Sequence, residues 1–228
     1  MILQNITNIW QRINDAEQKF DRTSGSVDLL VVSKGRTVIE VKSALKAGAH
    51  RFGENYVQEA VTKITALKDE EIEWHFIGKI QSNKTQLIAD NFSWVHTISD
   101  LHTAGRLSMQ RSPELPPLNV CLQVNISEEP TKSGATIDAL SDLAGEVEHL
   151  PNIRLRGLMA IPAVSHDLDE QRAIFHQVSQ LYQKMVREGV HLDTLSMGMT
   201  GDFEAAIAEG STMVRLGTAI FGPRPPKN

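Results

Sequence analysis

From residue 27 onward the chain repeats one alternation: a short apolar run, a few turn-forming residues, then a longer stretch whose apolar positions fall three or four apart. VDLLVVSK (27–34) reads as a strand, since its branched and leucine side chains follow one another with almost no polar break. Thr37-Val38-Ile39-Glu40 has the capping-box pattern that opens a helix. That helix is expected to run through Ala49, with Val38, Val41, Leu45 and Gly48 on one face. RFGEN (51–55) precedes a helical stripe of Val57, Ala60, Val61, Ile64 and Leu67. EIEWHFIG (71–78) leads to a helix after Asn83, and SWVHTIS (93–99) to one near 100–110. LNVCLQVNI (118–126) precedes Ile137, Leu140, Ala144 and Val147, and RLRGLMAI (154–161) precedes Ile174, Val178, Leu181 and Met185. TLSMGM (194–199) is followed by Asp202, an expected N-cap, and the helix FEAAIAE; STMVRLGTAIFG (211–222) closes the series.

Eight strands alternating with helices imply parallel pairing through right-handed crossovers. Eight such units in roughly 200 residues favour closure into a TIM-type (β/α)8 barrel. An open doubly wound sheet is the alternative, but the GxGxxG phosphate fingerprint does not follow the first strand. Ahead of the series, Ile2, Ile6, Ile9, Trp10 and Ile13 recur at helical spacing. Residues 1–22 are therefore expected to form an extra N-terminal helix packing on the barrel, with 1–228 as one domain.

Composition narrows the function classes. Hydrophobic residues make up 41% and charged residues 22% of the 228, ordinary values for a globular chain. The net charge of −5, with acids and bases interspersed, argues against a nucleic-acid surface, which usually shows a basic stripe. No apolar run approaches the roughly 20 residues that span a bilayer, and the N-terminus lacks the basic and apolar regions of a signal peptide. The single cysteine, Cys121, lies inside an apolar run, where core filling is its expected role. With no disulfide partner in the chain, a cytoplasmic location is expected. Nothing demands a dimer, so a monomer is expected.

In such barrels the chemistry sits at the C-terminal ends of the strands. The first strand ends in Ser33-Lys34. Lys34 shares a strand face with Leu30 and Val32, so it points into the barrel if they do. A lysine so placed must be paired, deprotonated or covalently bound; if the strand ends one residue earlier, it reaches solvent instead. Polar or small residues end the second, third and fifth strands, among them Glu54, Asn55 and Asn125. His75 reads as a hydrogen-bonded core or rim histidine, and the spacing of His75, His96 and His102 matches no zinc template. After strand seven come Met199-Thr200-Gly201-Asp202, and after strand eight Gly217-Thr218. These are the two loops where barrels often bind phosphate. Each alone fits an ordinary turn as well as an anion site; together they favour a phosphate ligand.

VVSK (31–34), FGENYVQE (52–59), WHFIGKIQSNK (74–84), VNISEEPTKSG (124–134), GLMAI (157–161) and SMGMTGDFEAAIAEGSTMVRLGTAIFG (196–222) carry a resemblance over nearly the whole chain. The sequence resembles the pyridoxal phosphate homeostasis proteins, single-barrel proteins related to the N-terminal domain of alanine racemase. That resemblance implies pyridoxal 5'-phosphate held as a Schiff base on Lys34, with its phosphate on Thr200, Gly217 and Thr218. It also implies Arg215 beside the pyridine nitrogen and Asn55 near the phenolic oxygen. Two positions depart from the family: Lys79, where proline is usual, and Gly35, where threonine is common.

The resemblance implies a binding protein for vitamin B6 homeostasis rather than a catalyst, with pyridoxal-phosphate-dependent apoenzymes as possible recipients. The alternative is an amino-acid racemase of weak activity. A racemase needs two bases on opposite faces of its substrate, and in alanine racemase the second comes from a further domain. Here the sequence stops at Asn228, just after the last expected strand. Lys84 and Lys132 are expected on the same rim as Lys34, either guiding the cofactor out or attracting its phosphate.

Overall fold

The strand–helix alternation closes into a ring. In the computed structural model, which describes residues 1–126, 133–163 and 165–223, eight parallel strands pair in sequence order and the eighth returns to the first. They are β1 (Asp28–Val32), β2 (Arg51–Glu54), β3 (Glu73–Phe76), β4 (Trp94–Ile98), β5 (Leu118–Val124), β6 (Ile153–Ala160), β7 (Thr194–Ser196) and β8 (Met213–Leu216). Before them comes α1 (Ile2–Lys19), and between them run α2 (Val38–Lys46), α3 (Val57–Ala66), α4 (Thr85–Asn91), α5 (Leu101–Gln110), α6 (Ile137–Glu148), α7 (Leu168–Arg187) and α8 (Phe203–Ala208). The short α9 (Thr218–Phe221) follows β8. This is the TIM-type barrel expected from the pattern.

Two helices end earlier than expected, each two positions before a left-handed residue. α2 stops at Lys46 and not at Ala49, because Gly48 takes φ +88° and its N–H turns back to the Leu45 carbonyl. α1 stops at Lys19, short of residue 22, with Asp21 at φ 52°. The capping box at Thr37 and Glu40 forms in both directions.

Alternation along the strands creates two cores. Outward-facing Leu29, Val31, Phe52, Phe76, Val95 and Val120 pack under the helices, and α1 adds Ile6, Ile9 and Ile13, all buried. α1 lies against α2, α8 and α9. Inside the barrel, Leu30, Ile77 and Met213 cluster with Val32, while Trp94, Cys121 and Met159 form a second group. The interior is otherwise polar, and His75, His96, Ser196 and Arg215 are all buried there. Burial pushes the Cys121 thiol up to about 12, which leaves it an inert filler. Among the described residues no helix is long and apolar enough to cross a membrane, and no cluster of three metal-ligating side chains occurs.

Candidate functional site

A cavity of about 300 Å³ opens at the C-terminal mouth of the barrel. Lys34, Asn55, Thr200, Arg215, Gly217 and Thr218 all line it, joined by Val32, Ile77, Met159, Ile161, Met199 and Gly201. Residues as far apart in sequence as Val32 and Thr218 meet here because parallel strands deliver their C-terminal ends to one side.

Lys34 lies two residues beyond the end of β1, in a turn with Gly35 at φ +71°. Both parts of the sequence expectation therefore meet: the strand stops early, yet the half-buried side chain still lines the pocket above Val32. The turn is held from below by a buried ionic knot that the sequence reading missed. Lys63 Nζ donates to Ser33 O at 2.7 Å and to Glu54 Oε1 and Glu59 Oε1 at 2.6 Å each. Ser33 Oγ donates to Glu54 Oε1 at 2.6 Å, and the Gly35 N–H donates to Glu59 Oε1 at 2.5 Å. The residues on either side of Lys34 are thus both tied to the knot. Burial raises the Glu54 carboxyl above its usual range, with Lys63 pulling the other way. Its Oε2 has no hydrogen-bond partner among the described residues. The available signal was a lysine on the buried stripe of α3, three residues after Ala60 and four after Glu59.

Arg215 projects into the pocket from β8 while remaining buried. Nη1 donates to Ser196 O at 2.6 Å and Ser196 Oγ at 2.8 Å, and Nη2 donates to Ala160 O at 2.8 Å. Burial lowers its pKa to about 10, opposed by the more distant Asp202, so the guanidinium is still cationic at neutral pH. Asp202 precedes α8 as expected, but its carboxylate does not cap the helix; it accepts from the Met199 N–H at 2.6 Å. The carboxylate is spent on folding the Met199–Thr200–Gly201 turn back along the pocket wall.

Asn55 follows β2 and is half-buried, with its Oδ1 sealed from solvent and without a partner among the described residues. Gly78 permits its position: a Cβ there would sit 2.1 Å from the Asn55 carbonyl oxygen. Lys79 and Lys84 line a neighbouring cavity that also touches Asn55, so the Lys79 departure falls on the rim. Lys132 lies outside the described residues.

A family model described as the alanine racemase N-terminal domain matches residues 6–225. The pyridoxal phosphate homeostasis protein of Pseudomonas aeruginosa is 51% identical over 223 residues, covering 98% of this chain and 96% of that protein. The Escherichia coli K12 protein of the same name is 47% identical over 226 residues, covering 98% and 97%. Among solved structures, PipY of Synechococcus elongatus with PLP bound superposes with a TM-score of 0.85 at 30% identity, covering 97% of this chain and all of that one.

Proposed function

The chain belongs to the alanine racemase N-terminal domain family and, within it, to the pyridoxal phosphate homeostasis proteins, and from that premise we propose that it binds pyridoxal phosphate as a Schiff base on Lys34 and serves as a carrier rather than a catalyst. The observation that carries the reading is the convergence of one lysine, one buried arginine and two hydroxyl-and-glycine turns on a single cavity. The residues fit the group. Asn55 brings an unpartnered buried oxygen, and Arg215 brings a buried cation with no salt bridge among the described residues. Thr200, Gly217 and Thr218 would hold the phosphate, Arg215 would face the pyridine nitrogen and Asn55 the phenolic edge.

When bound, the cofactor supplies an aldehyde that condenses with amines and a ring that accepts electrons. Arg215 limits the second of these. A guanidinium donates a hydrogen bond but does not surrender its proton at neutral pH, whereas a carboxylate partner would favour the protonated ring. A ring beside Arg215 would therefore be a weak electron sink, which suits simple proton exchange at most, or no catalysis at all. Lys34 and Arg215 are also the ionisable side chains that line the cavity among the described residues. A racemase would need a second base there.

The test is borohydride reduction of the loaded protein followed by peptide mapping. A pyridoxyl adduct on Lys34, absent in Lys34→Ala, is expected; an adduct mainly on Lys79, Lys84 or Lys132 refutes the assignment. Incubation with L-alanine or L-serine in deuterium oxide separates carrier from racemase, because turnover of about 1 per second or faster would lie in the usual enzyme range.

A further inference from the structure

A row of polar side chains, buried from His75 onward, runs through the barrel to the cavity. Glu73 Oε1 lies 3.0 Å from His75 Nε2, and His75 Nδ1 lies 2.9 Å from His96 Nε2. His96 Nδ1 is 3.0 Å from Ser196 Oγ, which accepts from Arg215 Nη1 at 2.8 Å. Both histidines and the serine are fully buried, and His75 stacks on Trp94 with ring centroids 5.3 Å apart. The two ends fix the direction of every proton between them. An arginine can only donate, so Ser196 Oγ accepts from it and turns its own proton to His96 Nδ1. A carboxylate can only accept, so His75 Nε2 carries a proton. A neutral His75 then offers a bare Nδ1, which requires the proton on His96 Nε2. Burial favours the neutral form of both rings, and the Glu73 carboxyl, hydrogen-bonded to His75, is held down at about 2.

We propose that Glu73, His75, His96 and Ser196 form a one-way hydrogen-bonded chain that holds the Arg215 guanidinium as a fixed donor at the cofactor ring, with Glu73, which also accepts from Arg51 Nε at 3.1 Å, as its accepting end. This rests on the pyridoxal phosphate reading above and extends it: His75, His96 and Ser196 are positioning residues for the bound ring. Arg215 spends three of its N–H groups on Ser196 and Ala160, so its plane cannot rotate without breaking the chain. Chains of this kind polarise each bond in the same sense.

Two measurements test the chain. The first needs no cofactor: nitrogen NMR of protein carrying ¹⁵N-histidine should show His75 and His96 as neutral rings protonated at Nε2 and bare at Nδ1. An imidazolium, or a proton on Nδ1 of either ring, overturns the chain. The second uses pyridoxal phosphate labelled with ¹⁵N in its ring. In Ser196→Ala the adduct on Lys34 should persist, the ring-nitrogen resonance should move toward that of an unbonded pyridine, and cofactor retention should fall by about tenfold, the cost of one lost buried hydrogen bond. Ser196→Thr, which keeps the hydroxyl, should restore the resonance. An unchanged resonance in Ser196→Ala, or no rescue by threonine, overturns the positioning role. If the unsubstituted protein takes up no labelled cofactor, the pyridoxal phosphate reading and the positioning role fall together, while the histidine signals still decide the proton order.

Discussion

Replacing Lys63 by methionine keeps the length of the side chain and removes the ammonium that ties Ser33, Glu54 and Glu59 together. The side chains of Lys63 and Glu54 are 3% and 0% exposed, which decides the scale. Exposed pairs contribute about 0–1 kcal/mol, whereas removing one partner of a buried pair costs about 3–5 kcal/mol by stranding the other charge. A loss of that size is a large part of a typical total of about 5–15 kcal/mol. For a chain of this length it corresponds to a fall in Tm of about 6–20 °C. Glu54 already sits above its usual pKa, and without Lys63 it should rise further. A carboxyl raised on folding binds its proton more tightly in the native state. The variant should therefore regain stability as pH falls through the new native pKa toward the unfolded value. Adding Glu54→Gln should recover part of the deficit by removing the stranded charge. Urea unfolding of the single and double variants at neutral and acid pH is the assay, with Lys34 adduct formation read alongside because the knot holds the Lys34 turn. A loss under about 1 kcal/mol, the range of a surface pair, would refute the reasoning.

Other perturbations test separate parts of the structure. His75 and His96 are held neutral by burial, so below about pH 6.5 the unfolded chain binds protons that the native chain does not. Urea midpoints should fall as the pH drops through that value, and less steeply in His96→Leu; a flat or rising midpoint contradicts this. In Gly78→Ala the new Cβ would meet the Asn55 carbonyl at 2.1 Å, so a loss of about 1–3 kcal/mol is expected, together with weaker cofactor retention. Calorimetry and cofactor titration report the two effects, and a variant matching the parent in both would show that Asn55 does not depend on this close approach. Ile13, fully buried in α1, should cost about 2–5 kcal/mol when truncated to alanine. Denaturant unfolding measures it, and a negligible change would mean that α1 is not part of the cooperative barrel.

The periodic pattern was enough to reach the barrel, because strands buried on both faces and helices with one apolar stripe leave different spacings in the sequence. It placed α1, all eight strands and the Thr37 capping box, and it marked the strand ends where Lys34, Asn55, Thr200, Gly217 and Thr218 stand, whereas Arg215, inside β8, came only from the family resemblance. The errors lie at boundaries such as Lys46 and Lys19, where a left-handed residue two positions on turns the chain out of the helix. Asp202 occupied its expected place and served a different bond, since a carboxylate at an N-cap can accept from whichever N–H the turn presents.

Tertiary structure alone decided which polar residues serve the site from a distance. Lys63 reaches Ser33 from 30 positions away, and His96 reaches Ser196 from 100. Each of these residues is polar in an otherwise ordinary element, and local pattern cannot distinguish a polar group facing water from one facing the barrel axis or the layer between helices and strands. Closure of the ring and the packing of helices around it make the difference: both the inward faces and the layer between strands and helices are removed from water, and every polar group caught there must then find a partner on another strand or helix.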